Sequence, residues 1–321
     1  MQNIVASSYV SSSKITQIPS TFDTFCFFAL KPYLVFVFII LPFGLLAQKG
    51  EIISLFQQLK SCETDSCRDV INKSLSASLE SLLKSDLQLQ TDLSDLPNCG
   101  VLLSKDKKVR VITWNSPIDT GGQKYYGFIQ VYNAKFKKYM YFKLVDKSKG
   151  MDKPERAVLS PDKWFGCLYY NLLETGSGRK KVYTLLGWEL GNNYTSKKVV
   201  EVLTVNPAGV PTFGGNYFQQ YHKKQKVKAG NQDPGMPKVN YGSGKRNLLK
   251  ARWIFEYKFG IQMKLNYDVG QSAILVPHLS PSSPSLVGQF QFYGPDLSVD
   301  ALRWKAGKWV MYEDVDARNE K

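Results

Sequence analysis

The sequence predicts a mainly β protein, α+β overall, in which a short N-terminal helical segment precedes one antiparallel β domain of the sandwich, barrel or propeller-like kind. Three observations predict it. From Val101 onward the chain is a succession of short runs rich in Val, Ile, Tyr, Phe and Trp, each bounded by Gly, Pro, Asn or Asp, which is the pattern of strands and turns. Before that point, residues 51–60 and 65–84 carry apolar side chains at helical spacing. Between the strands no convincing helical connection occurs, and this argues against a parallel α/β sheet.

The helical segment comes first. Ile71, Leu75, Leu79, Leu82 and Leu83 fall on one stripe, and Ser66 with Asp69 three residues on resembles a capping pattern at the start of the second helix. Such a stripe cannot be buried within a helical piece this short, so residues 48–99 form a lead-in that packs on the rest of the chain. A polar connector with Asp92, Asp95 and Pro97 then leads to the β domain, residues 100–321.

Strands are expected near 108–115, 124–133, 138–146, 166–174, 180–190, 197–205, 251–258, 261–267, 272–277, 289–293 and 308–313. Along 109–114, Val109, Val111 and Thr113 alternate with Arg110, Ile112 and Trp114, so one face is largely apolar and the other mixed. Asp119-Thr120-Gly121-Gly122, Gly176-Ser177-Gly178, Gly191-Asn192-Asn193 and Asn206-Pro207-Ala208-Gly209 supply hairpin turns. Residues 214–249 break the rhythm with six glycines and two prolines, and read as a long basic surface loop.

The amino terminus predicts export. Tyr33 to Ala47 is the one long apolar run; it follows Lys31 and Pro32 and is interrupted by Pro42 and Gly44. A basic residue, a core of about 7–15 apolar residues and a small residue before the cut make a signal peptide. Residues 1–47 are therefore expected to be removed, leaving a periplasmic or secreted protein with no transmembrane span. An uncleaved anchor is the alternative, because Phe25-Cys26-Phe27-Phe28-Ala29-Leu30 is also apolar. The Ser/Thr-rich stretch before Lys31 is long for a signal head, which puts the start site in question, and Leu45 stands where a small residue is preferred.

Charge comes next. The chain carries 42 basic and 27 acidic side chains, a net +15; without residues 1–47, which hold Lys14, Lys31 and Asp23, the remainder is +14. A charge of that size favours anionic partners at long range and says nothing about fold. An exported protein meets anionic glycan or lipid, and no nucleic-acid recognition motif accompanies the charge, so no nucleic acid is expected. Lys223, Lys224, Lys226, Lys228, Lys245 and Arg246 in the basic loop are the binding candidates, against the alternative of a solvated, self-repelling segment.

Cys62, Cys67, Cys99 and Cys167 remain after the signal, and an even count in an oxidising compartment permits two disulfides in any of three pairings. Cys62–Cys67 is the most local. A free buried thiol at Cys167, in the apolar run 164–173, is the competing expectation. No metal is expected: the spacing is not that of zinc knuckles, and His222 and His278 are far from the cysteines.

Catalytic signals are thin. The chain has no G-x-S-x-G elbow, no H-E-x-x-H helix and no phosphate-binding glycine loop, so no cofactor is predicted. His278, at a strand end, can act as a base beside Asp296 or Asp300, or its ring can be satisfied by backbone groups alone. The carboxylates from Asp296 to Asp316 suit glycoside hydrolysis or calcium, but Gly294-Pro295-Asp296 reads equally as a turn capped by its Asp. Trp114, Tyr126, Trp164, Trp188, Trp253, Trp304 and Trp309 are able to stack on sugars; strand aromatics more often fill cores.

Taken in order, Thr113-Trp114-Asn115, residues 126–130, Trp164-Phe165-Gly166 with Leu168-Tyr169-Tyr170, 183–188, 197–203, 254–257, His278-Leu279-Ser280-Pro281, 292–296 and 314–319 look like an uncharacterised family of exported, β-rich proteins of Gram-negative bacteria. The resemblance covers nearly all of 100–320. It implies export and a single domain, and it transfers no catalytic residue. The basic insertion around 221–250 departs from the family pattern. The chain is thus expected to be a non-catalytic envelope or binding protein, with a periplasmic hydrolase using His278, Asp296 and Asp300 as the alternative.

Overall fold

The computed structural model describes residues 47–178, 181–220 and 250–316. The expected signal segment, apart from Ala47, and the basic side chains Lys223 to Arg246 lie outside these residues. From Ala47 onward the chain forms one compact unit.

Two helices open it, α1 (residues 47–61) and α2 (Asp65–Ser85). The disulfide Cys62–Cys67 closes the turn between them. Thr64, extended at φ −115° and ψ 152°, is the N-cap of α2 and accepts from the Cys67 N–H, so the helix begins before the Ser66–Asp69 pair expected to cap it. Leu75, Leu79, Leu82 and Leu83 are buried as their spacing requires. Each contributes roughly 1.5–3 kcal/mol by leaving water. From α1, Ile52, Leu55 and Phe56 are buried.

Among the described residues fourteen strands make three sheets. Sheet 1 is the meander β1 (Cys99–Leu103), β2 (Val109–Pro117), β3 (Gln123–Asn133) and β4 (Lys138–Val145). Sheet 2 holds β5 (Leu168–Thr175), β6 (Val182–Glu189) and β7 (Thr195–Val205), with the short β8 (Pro211–Phe213) and later β10 (Arg252–Lys258) both on β7. Sheet 3 has the order β11 (Asn266–Asp268), β12 (Ala273–Pro281), β13 (Tyr293–Lys305), β14 (Lys308–Tyr312) and β9 (Phe218–Gln220). All pairs are antiparallel except β14–β9.

Sheet 2 is the middle layer. Tyr183, Leu185, Val199 and Leu203 join Val109, Val111, Ile129 and Leu144 of sheet 1 in one core. Their neighbours Val182, Leu186, Val200 and Val202 join Ile274, Val276, Leu302 and Trp309 of sheet 3 in a second. A strand covered on both faces reads as a near-continuous apolar run, and VYTLLGW and VVEVLTV do so with Thr184, Glu201 and Thr204 as the polar interruptions. The outer face of sheet 1, with Ile112, Trp114 and Phe128, is buried beneath the helices, the Phe56 ring standing edge-on to Trp114 at 6.0 Å. The product is a stack of three sheets, and none closes into a barrel.

Several expected boundaries move. Residues 289–293 do not form a strand: 290–292 make a 3₁₀ turn, and β13 runs on through Pro295 to Lys305. Pro295 pairs with Leu279 of β12, and β14 covers β13 only from Ala301, so the proline sits where the other edge is open and no N–H is needed. The strand expected at 261–267 shrinks to β11, while Met263 and Leu265 fill the second core from irregular backbone. The expected loop 214–249 begins inside the fold, since β9 pairs with β14 and buries Phe218. The Asp119–Gly122 hairpin stands, its Gly121 and Gly122 at φ 94° and 88°.

Candidate functional site

His278 and Asp300 are brought together. Val276 to Pro277 of β12 pairs with Asp300 to Val299 of β13, but Leu279 pairs with Pro295, so residues 296–298 bulge out opposite His278. The bulge places the His278 Nδ1 2.8 Å from Asp300 Oδ2. Asp300 is nearly buried, and its other oxygen accepts the Asp314 N–H at 3.1 Å. Partial burial disfavours the imidazolium; the Asp300 hydrogen bond and charge outweigh it, Asp296 and Glu313 add to them, and the pKa rises above the ordinary 6.5.

Asp296 serves its own turn. Oδ1 accepts from the Ser298 N–H at 3.1 Å and its hydroxyl at 2.8 Å, and Oδ2 accepts from Ser280 Oγ at 2.5 Å. The bonds from Ser280 and Ser298 lower its pKa. This is the capped turn that the sequence offered as one of two readings. Leu297 at its tip takes a φ of 77° and is 99% exposed. A shallow groove of about 360 Å³ next to the turn includes Asp296 but neither His278 nor Asp300. Among the described residues no hydroxyl or thiol hydrogen-bonds to the imidazole.

Cys62 and Cys67 are bonded; Cys99 and Cys167 are free. Burial pushes the Cys99 thiol up to about 12 and that of Cys167 well above its usual value, so both are poor nucleophiles. Among the described residues no three His, Cys, Asp or Glu side chains gather to hold a metal ion, and no helix is long and apolar enough to cross a membrane. Of the tryptophans, Trp114, Trp164 and Trp309 are fully buried.

Sequence reasoning missed a cleft of about 720 Å³ between α2 and sheet 1. Asp69, Lys73, Ser76, Ala77 and Glu80 form the helix wall; Tyr126, Lys143 and Val145 form the floor, and Asp146, Lys147 and Lys149 close one end. Helical spacing sets the wall, because residues three and four apart share a face. Strand pairing sets the floor: Tyr126 lies opposite Val145 and Phe128 opposite Lys143.

Three contacts hold the wall in place. At the start of α2, Arg68 bonds Asp65 and Asp119, and the Asp119 carboxylate accepts the Asp65 N–H at 3.0 Å. In the middle, Trp114 Nε1 donates to Asn72 Oδ1 while its ring stacks on Tyr126, centroids 5.6 Å apart. At the end, Arg110 donates to Asp86 at 2.8 Å, to the Thr91 carbonyl at 2.7 Å and to Gln130 at 2.7 Å. The cleft is therefore built before any ligand arrives.

Its charges are unevenly committed. Asp69 pairs with Lys124 at 2.8 Å, Glu80 with Lys84 at 3.1 Å, and Asp146 accepts from the Ser148 N–H and hydroxyl at 2.9 and 2.6 Å. Lys73, Lys143, Lys147 and Lys149 have no carboxylate in ion-pair contact among the described residues. No local signal marks this cleft, because its two sides lie more than 40 residues apart in the chain. Compared with known proteins, the chain matches no family model, no curated protein and no solved structure.

Proposed function

We propose that this chain is a non-catalytic binding protein, exported to the periplasm or secreted, whose cleft between α2 and sheet 1 holds an anionic ligand. The observation that carries the reading is the imbalance inside the cleft: all three carboxylates have partners of their own, and four of the five lysines have no carboxylate in ion-pair contact among the described residues. Uncommitted ammonium groups on low-dielectric walls raise the local concentration of anions. Each exposed lysine–anion contact is worth about 0.2–1 kcal/mol, so useful affinity comes from several acting together. An anionic glycan or lipid head group of the cell envelope matches this charge, and the net +14 that remains without residues 1–47 adds attraction at longer range.

The test is retention on a heparin column at physiological salt, followed by titration with a heparin fragment. Binding that weakens when Lys143→Glu and Lys147→Glu are combined supports the reading. Wild-type protein that flows through unretained overturns it.

The His278–Asp300 contact supports a second reading, a hydrolase in which Asp300 orients His278 as a base with Asp296 nearby. A water would have to serve as nucleophile. Turnover in a panel of chromogenic esters, phosphate esters and glycosides that is lost in His278→Gln supports this; no turnover on any of them removes it.

A further inference from the structure

We infer that the hairpin of β12 and β13 seats the protein on an anionic lipid surface, its loop 282–292 dipping apolar side chains beneath the head groups; the inference stands apart from the reading of the cleft. Residues 279–295, LSPSSPSLVGQFQFYGP, hold no charged side chain. Val287 is 71% exposed, Phe290 42% and Phe292 40%, and Leu297 just beyond this stretch is wholly in water. Hydrophobic residues exposed singly are ordinary, whereas a cluster of them marks a surface that meets a partner.

The loop is held in shape by its own bonds. The Ser282 N–H donates to the Phe292 carbonyl at 3.0 Å and closes the base. Within it, Pro284–Leu286 and Phe290–Phe292 form 3₁₀ turns, and the Gln289 N–H donates to the Leu286 carbonyl at 3.0 Å. The Gly288 N–H donates to the Tyr293 hydroxyl at 3.0 Å, and the Phe290 ring lies against that of Tyr293, centroids 5.1 Å apart. Backbone groups already bonded within a loop cost less to move out of water than free ones. Compact loops of this kind, with their ends close together, are frequently functional.

The apolar surface continues off the loop, and charge selects its partner. Phe292 and Tyr293 share the groove of about 360 Å³ with Lys258, Ile261, Pro295 and Asp296, and the exposed Phe259 follows Lys258 in the chain. Asp296 is the one carboxylate lining this groove, and Ser280 and Ser298 hold both of its oxygens. Without residues 1–47 the chain carries +14, so a second copy is repelled and a bilayer with anionic head groups attracts. A lysine held near such a surface adds to that attraction, and Lys258 is placed to do so. Phenyl and aliphatic side chains beside basic ones are the composition that lies in the boundary between head groups and acyl chains.

The test is sedimentation of the purified chain with phosphatidylcholine vesicles, with and without phosphatidylglycerol. The chain is expected to pellet with the anionic vesicles. Phe290 and Phe292 together leave a little under one phenyl ring in water, so replacing both by serine is expected to weaken binding about tenfold. The urea midpoint of that variant is expected to stay at the wild-type value, since neither ring fills a core. Phe290→Trp adds a reporter, whose emission is expected to be quenched by phospholipid brominated in its acyl chains. A wild-type chain that ignores anionic vesicles overturns the inference, and so does binding that the serine pair leaves unchanged or added emission that brominated lipid leaves bright. Should Lys143→Glu with Lys147→Glu abolish pelleting while the serine pair does not, the cleft holds the lipid and only this inference falls. Self-association of the lipid-free chain that the serine pair abolishes gives the patch to a second copy and overturns the lipid assignment.

Discussion

The Trp114 indole N–H donates to the Asn72 side-chain oxygen across 2.9 Å, with both residues buried, and this bond fixes the middle of α2 on sheet 1. Asn72 also donates to the Arg68 carbonyl at 2.8 Å. Replacement by leucine keeps the volume and strands the indole N–H in an apolar interface, at a cost of about 1–3 kcal/mol. Asn72→Leu is expected to unfold at lower urea concentration with an unchanged slope. A midpoint equal to wild type would show that the bond contributes nothing.

Arg110 and Asp86 make a second tether, and both are buried. Removing one partner of a buried pair leaves an uncompensated charge, typically about 3–5 kcal/mol. Arg110→Met and Asp86→Ala are each expected to destabilise the protein by that order, whereas the double variant loses less than the two losses together. Chemical denaturation of all four proteins measures the coupling, and strict additivity contradicts it.

The Cys62–Cys67 bridge closes a loop with a sequence separation of 5. A loop that short removes little chain entropy, about 2 kcal/mol at 25 °C. Reductant is expected to lower the unfolding midpoint by that amount without abolishing folding. Cys167, fully buried with its thiol pushed well above its usual value, is expected to resist a thiol reagent at pH 8 until the chain unfolds. Fast labelling of Cys167 in the native protein would contradict its burial.

The His278–Asp300 pair makes stability depend on pH. The folded pKa of His278 is raised, so its contribution is complete below the ordinary 6.5 and is lost as pH rises through the folded value. Asp296, lowered from 3.8, acts in the opposite direction: its contribution is present above 3.8 and is lost as pH falls through its folded value. Together they put the maximum contribution between about pH 4 and 6.5. The stability gap between wild type and His278→Gln is expected to be wider at pH 5.5 than at pH 8.5. A gap that widens toward alkaline pH would reverse the assignment.

Short-range chemistry determined much of this protein. The leucine stripe of α2, the Asp119–Gly122 turn and the Cys62–Cys67 bridge each depend on residues a few positions apart, so each was legible in the chain. Strands 182–189 and 195–205, both among the expected strands, form the pair buried on both faces. His278 and Asp300 were legible as chemistry; that they touch was not, because the bulge bringing them together is a mismatch in length between two strands.

Only the tertiary structure decided the rest. Which strand pairs with which is set by contacts across long stretches of chain, as in Arg252 of β10 beside Glu201 of β7, joined by a buried ion pair at 2.6 Å. Such partners leave no local periodicity to read. For the same reason residues 294–305 were not legible as a strand: Pro295 ends a strand by local rules and is accommodated here because one edge of β13 is open. The cleft is the extreme case. Lys73 reads as an ordinary solvated helix residue and Lys143 as an ordinary strand residue, and only the packing of α2 on the face of sheet 1 places them on two sides of one site.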